Sequence, residues 1–134
     1  MGLVSGIKLI HLDEKKSIVE VPFRWCNKNP FHSMYFAVLS MAAELSTAAP
    51  VMMVLKGYDA DIALIIVNIK AEFIKKAQSK ITFECVDYYE EVCAASQLRH
   101  ADDTSTVTMK TIGRDVNHSE VAIFYFTWSF KRRR

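Results

Sequence analysis

Apolar and polar residues alternate with a period of two near both ends of the chain, while the middle carries one long apolar run with few polar breaks. Ile7 and Leu9 share one face of a first short strand; Val19, Val21, Phe23 and Trp25 alternate along a second, with Lys16, Glu20 and Arg24 opposite. The turn Asp13-Glu14-Lys15 makes the two a hairpin. Asn29 followed by Pro30 suits a helix start, with Asn as cap and Pro at the first position. The helix is expected to run to about Ala49, where Pro50 ends or bends it. After a turn at Gly57-Tyr58-Asp59, Ile62 to Ile69 is nearly all apolar and Asn68, Lys70 and Glu72 then alternate with Ile69, Ala71 and Phe73, which reads as a strand central at first and more exposed later.

Ile81, Phe83 and Cys85 mark a further strand, and Tyr89, Val92, Cys93 and Ser96 have the spacing of a short amphipathic helix. Thr104 to Ile112 and Val121 to Phe130 form a hairpin through residues 113–117. In its second strand Ala122, Phe124, Phe126, Trp128 and Phe130 share a face while Val121, Ile123 and Tyr125 make the other apolar, as in a central strand. The order β-β-α-β-β-(short α)-β-β, with one helix far more apolar than a surface helix, predicts an α+β fold: one antiparallel sheet curled around one long central helix, residues 1–134 forming a single domain.

That central helix changes the picture chemically, because Glu44 is the one formally charged side chain between Lys28 and Lys56. An ionised carboxylate removed from water costs several kcal/mol unless it is paired, so Glu44 is expected to be buried and either hydrogen-bonded by Ser40, Ser46 or Thr47, or functional. The stretch from Ser33 to Leu55 could span a bilayer by length, but Glu44 near its middle, Pro50 and three hydroxyl residues favour a helix wrapped by a sheet, with no membrane partner.

The 134 residues are 51% hydrophobic and 24% charged, an ordinary globular balance, and a net charge of +2 gives no case for a polyanion partner. The basic ending Lys131 to Arg134 reads as a solvated tail, so no nucleic acid is expected. Cys26, Cys85 and Cys93 form no CxxC pair and no disulfide framework, and the first residues lack a secretory pattern, which together fit the cytoplasm. His11, His32, His100 and His118 show no metal-ligand spacing, and no phosphate-binding glycine fingerprint is present; neither a metal nor a cofactor is expected.

The segment from Asn29 to Glu44, Asn-Pro-Phe-His-Ser-Met-Tyr-Phe-Ala-Val-Leu-Ser-Met-Ala-Ala-Glu, resembles the central-helix motif of hotdog-fold acyl-CoA thioesterases of the phenylacetate-pathway type, in particular their bacterial branch of unknown function. Ile69 to Ala77 is similar to that family's third strand, and Val121 to Lys131 to its closing strand. The resemblance implies a hotdog fold, an acyl thioester substrate with CoA as part of it, and a homodimer with two composite sites, in many relatives paired further into a homotetramer. It implies Glu44 as base or nucleophile and Asn29 as the residue that orients water or the thioester carbonyl. The helix-start N–H groups around Phe36 and Ala37 then hold the oxyanion, with Tyr35, His32 and Ser33 beside them. Phe36-Ala37 replaces a Gly-Gly pair of many relatives, and Tyr35 a His.

The residues fit this chemistry on physical grounds as well. Apolar surroundings make a carboxylate a better base, and the positive end of a helix stabilises an oxyanion. Ala37 and Glu44, however, are about 10 Å apart along one helix. Two such helices antiparallel about a twofold axis would bring the start of one to the Glu44 of the other. Met34, Met41, Met52 and Met53 read first as core and second as an adaptable acyl channel, with Thr47 beside it; Lys75 and Lys76 are solvated charges or contacts for CoA phosphates. The alternative is a non-catalytic acyl- or CoA-binding hotdog protein. A hotdog dehydratase would want a His in the helix, and none lies between Ser33 and Leu55.

Overall fold

The computed structural model describes residues 6–23, 34–58 and 60–134. Strands β1 (Lys8–Leu12) and β2 (Lys16–Val21) form the expected hairpin. In its turn the Asp13 carboxylate accepts N–H bonds from Lys15 and Lys16. Helix α1 (Phe36–Leu55), β3 (Ile62–Phe73), β4 (Ile81–Val86), α2 (Tyr89–Ser96), β5 (Thr104–Arg114) and β6 (Glu120–Arg132) follow. The six strands make one antiparallel sheet in the order β1-β2-β4-β5-β6-β3, curled on α1 in the hotdog arrangement.

Alternation decides the inner layer. Val19 and Val21 of β2, Ile81, Phe83 and Cys85 of β4, and Phe124, Phe126 and Phe130 of β6 are almost wholly buried against Val38, Ala42, Ala43 and Val51 of α1. Phe124 is the hub, stacked on Phe126 and edge-on to both Phe83 and Phe73 at centroid distances of 5.7–5.8 Å. Gly113 of β5 must stay without a side chain, since a Cβ there would meet the Phe83 ring at 2.7 Å.

Two hydroxyl and indole contacts fix the helix on the sheet, and a third within the helix orients one of them. Ser46 Oγ lies 2.7 Å from Thr111 Oγ1, the Trp128 indole N–H donates to Thr47 Oγ1 at 3.0 Å, and Thr47 Oγ1 donates to the Glu44 carbonyl at 3.0 Å. Thr47→Val, which leaves the buried Trp128 N–H without its acceptor, is expected to cost about 1–3 kcal/mol, read as a fall in the urea unfolding midpoint.

Two expectations fail here. Helix α1 spans Phe36–Leu55 and so runs through Pro50, while residues 34 and 35 before it are not helical and the expected start at Asn29-Pro30 lies outside the described residues. Pro50 forfeits one backbone bond, at about 3 kcal/mol in a helix interior, but Val51 and Val54 beyond it are buried on the sheet at about 1.5–3 kcal/mol each, which offsets the loss. Among the described residues β3 pairs with β6 alone and lies at the sheet edge, not between two strands. Its Ile65, Val67 and Ile69 are each more than half exposed. Helix α1 is apolar and long enough to cross a membrane by composition alone, yet 56% of its most apolar window is buried inside the chain, as befits a core helix.

Candidate functional site

The start of α1 is held in place by two neighbours. Met34 N–H donates to Ala77 O at 2.9 Å, and the Phe36 ring meets Phe73 edge-on at 6.4 Å. Tyr35 occupies the N-cap position without a side-chain cap, no acidic residue lies in the first turn, and the first bonds of the helix run from Val38 and Leu39 N–H to Tyr35 O. The Phe36 and Ala37 N–H groups precede those bonds, and the first turn brings no acidic side chain to the positive end of the helix dipole.

Glu44 is not buried: its side chain projects from α1 into solvent in the single chain, which corrects the expectation of a carboxylate enclosed by its own sheet. The inner face of α1 is taken by Ala42, Ala43, Ser46 and Thr47, so Glu44 falls on the opposite side. It shares that side with Ala37, Met41, Ala48 and Met52, all exposed or half-buried. Glu44 is thus the sole charge in an apolar stripe that faces away from the sheet.

The remaining candidates separate. Thr47 is fully buried in its bond with Trp128, among the core residues between helix and sheet. Met34, Phe36, Phe73, Ile74, Lys75 and Lys76 line one groove of about 240 Å³ beside the helix start. Phe36, 67% exposed, is one wall of this groove, and Tyr35 before it is 45% exposed. Lys75 Nζ lies 3.2 Å from the Asp115 carboxylate, which N–H donation from Ser119, and then Lys75 itself, hold below its ordinary pKa. Lys76 is exposed at the groove rim and makes no ion pair among the described residues. Asn29, His32 and Ser33 lie outside the described residues.

Sequence reasoning missed Phe73 and Ile74 as groove walls, because their strand looked merely more exposed at its end. Their signal was the apolar side of the Ile69–Ala71–Phe73 alternation, which stays more than half exposed at Ile69 and Phe73. Other nucleophiles are poor: burial pushes the Cys85 thiol up to about 12. The described residues hold no cluster of three or more His, Cys, Asp or Glu suited to a metal. The basic C-terminus is tied down, with Arg133 reaching Asp61 Oδ1 at 2.5 Å, Lys131 near Asp102, and Arg132 donating to Leu98 O.

No family model matches the sequence, and no curated protein is significantly similar to it. Solved structures do match along almost the whole chain. A Pseudomonas aeruginosa protein of unknown function, described as a probable thioesterase, superposes with a TM-score of 0.79 at 19% identity, covering 98% of this chain and 86% of its own. A thioesterase from Haemophilus influenzae matches with a TM-score of 0.71 at 13% identity, covering 98% and 82%. A mutant of a second Pseudomonas aeruginosa thioesterase gives 0.73 at 14% identity, covering 98% and 85%. At these identities the likeness is one of fold: this chain has the hotdog fold of solved thioesterase structures.

Proposed function

We propose that the protein is a thioester hydrolase acting on acyl-CoA, with composite sites formed where two copies meet. One observation carries this reading. Glu44, the only charge on α1, faces outward in an apolar stripe with Ala37 seven residues earlier, beside a helix start with no side-chain cap and no acidic residue in its first turn. A lone carboxylate on an apolar helix face is a poor solvent surface and a good covered one.

Within one chain the two groups are about 10 Å apart along the helix, too far to act on one carbonyl. Antiparallel packing of two α1 helices closes that gap. Glu44 of one subunit then takes a proton from water, and the water oxygen bonds to the thioester carbon. The N–H groups at Phe36 and Ala37 of the other subunit hold the carbonyl oxygen as it gains charge. The C–S bond breaks, the thiolate leaves, and the proton on Glu44 passes to it. The groove walled by Phe36, Phe73 and Ile74 receives apolar substrate, and Lys76 at its rim meets anionic parts of the carrier.

The test is release of free thiol from a panel of acyl-CoA thioesters, with molar mass measured by light scattering on the same sample. Turnover by a dimer or larger species is expected. A clean monomer at micromolar concentration would sink the composite site. The bulky Tyr35 and Phe36 at the helix start support a second reading, acyl-CoA binding without hydrolysis, which saturable binding with no thiol release would select.

A further inference from the structure

Helix α1 lacks an acidic residue in its first turn and a basic one in its last. At the C-terminal end Gly57 N–H turns to Val54 O at 3.3 Å, while Lys56 and Tyr58 N–H go to Met52 O and Leu55 O. Met53 O therefore receives no backbone N–H among the described residues. Carbonyls at the end of a 20-residue helix carry the negative pole of its dipole, and they call for a donor or a cation.

A hollow of about 410 Å³ opens at this end, within the size of small-molecule sites. Met53, Val54, Gly57 and Tyr58 form one wall, Tyr89 and Cys93 of α2 a second, and Glu14 of the β1–β2 turn a third. Lys56, the C-cap residue, is exposed and is not one of the walls. Gln97 Nε2 donates to the Tyr58 hydroxyl and fixes that ring. The Tyr89 hydroxyl is held above its ordinary pKa by its hydrogen bond with Cys93, and then by the nearness of Cys93, Glu14 and Tyr58. Surroundings that resist a negative charge on this ring favour a positive charge beside it. An adjoining hollow shares Glu14 and Tyr89 and sets Asp87, Glu90 and Glu91 against Lys15.

Tyr125 shows what such a ring attracts. Lys70 Nζ and Lys110 Nζ lie over it at 5.5 and 5.9 Å from the centroid. Among the described residues no cation lies over Tyr58 or Tyr89 in this way. A hydrated metal ion would leave the rings and the Met53 thioether unused, since such ions take oxygen ligands. A positive head on an apolar body uses the rings, the carboxylate, the helix end and the apolar wall together. We infer that the hollow at the C-terminal end of α1 binds a small organic ammonium ion, its head against Tyr58, Tyr89 and the Glu14 carboxylate and its apolar part on Met53 and Val54. The site lies about 25 Å along α1 from Phe36, and it stands whether or not the protein hydrolyses thioesters.

Choline and its neutral carbon isostere, 3,3-dimethylbutan-1-ol, test it by NMR titration of the full chain in buffered salt. Saturable amide shifts at Glu14, Gly57, Tyr58, Tyr89 and Cys93 are expected with choline, and about tenfold weaker binding with the isostere, which has the shape without the charge. Glu14→Gln and Tyr89→Leu should each weaken choline about three- to tenfold with the thermal melt unchanged, since both side chains are exposed. No saturation up to about 50 mM choline overturns the site. Equal binding of the isostere overturns the ammonium class, and that comparison needs no variant. Choline binding that neither substitution weakens overturns the placement.

Discussion

Glu44→Gln is expected to lower acyl-CoA hydrolysis by about 10²–10⁴-fold, the range of a lost general base, while the protein keeps its fold and its partner. The side chain is exposed in the single chain and makes no ion pair among the described residues, so the substitution should move stability by no more than about 0.5 kcal/mol. Gln keeps the shape and hydrogen-bonding atoms of the site but cannot accept the proton from water. Thiol release, thermal melting and light scattering on one preparation separate the roles. Loss of turnover with an unchanged melt and mass is the catalytic result. Unchanged turnover would remove Glu44 from the chemistry, and loss of the dimer would make it an interface residue.

The largest effect on stability is expected from Phe124→Ala, at about 3–5 kcal/mol. Phe124 is 1% exposed and its ring contacts Phe73, Phe83 and Phe126, so it joins the edge strand, the centre of the sheet and the inner layer in one cluster. Deletion leaves a cavity that three rings held by separate strands cannot close. The same contact positions Phe73 under Phe36, so the variant should also loosen the groove beside the helix start. Urea unfolding measures the first consequence. A loss below about 1 kcal/mol would show that the ring cluster relaxes freely and holds nothing in place.

The strands were legible because alternation is a one-dimensional signal. Phe124, Phe126, Trp128 and Phe130 of β6 face inward as their spacing requires, and residues 13–15 make the turn that Asp-Glu-Lys foretold. Residues 89–96 form the short helix their spacing predicted. The helix start was less legible. Asn29-Pro30 is a good local signal, but residues Met34 and Tyr35 are not helical, and α1 begins where Phe36 packs on Phe73. Its end was misread because a proline's local cost was weighed without the burial of Val51 and Val54 beyond it.

The site was half legible. Glu44 stands out in any reading of the sequence as the one charge in an apolar helix, and so does the seven-residue step back to Ala37. What the pattern could not give was direction. A helix apolar on every side has no period that distinguishes the face against the sheet from the face against another molecule. The run from Ile62 to Ile69 has the same ambiguity: continuous apolar residues describe a strand between two neighbours, and equally an edge strand awaiting one.

By itself, then, the sequence determined the elements, the antiparallel sheet on a central helix, and the residue with the most unusual charge, because alternation and isolation are properties of neighbours along the chain. Only the tertiary structure decided that Glu44 and the Ile69–Phe73 edge face outward and that Thr47 belongs to the core. It also decided that the helix start shares a groove with Phe73, Lys75 and Lys76. Burial is a property of neighbours in space, and a side chain apolar enough for the inside of one chain is equally apolar enough for the boundary between two.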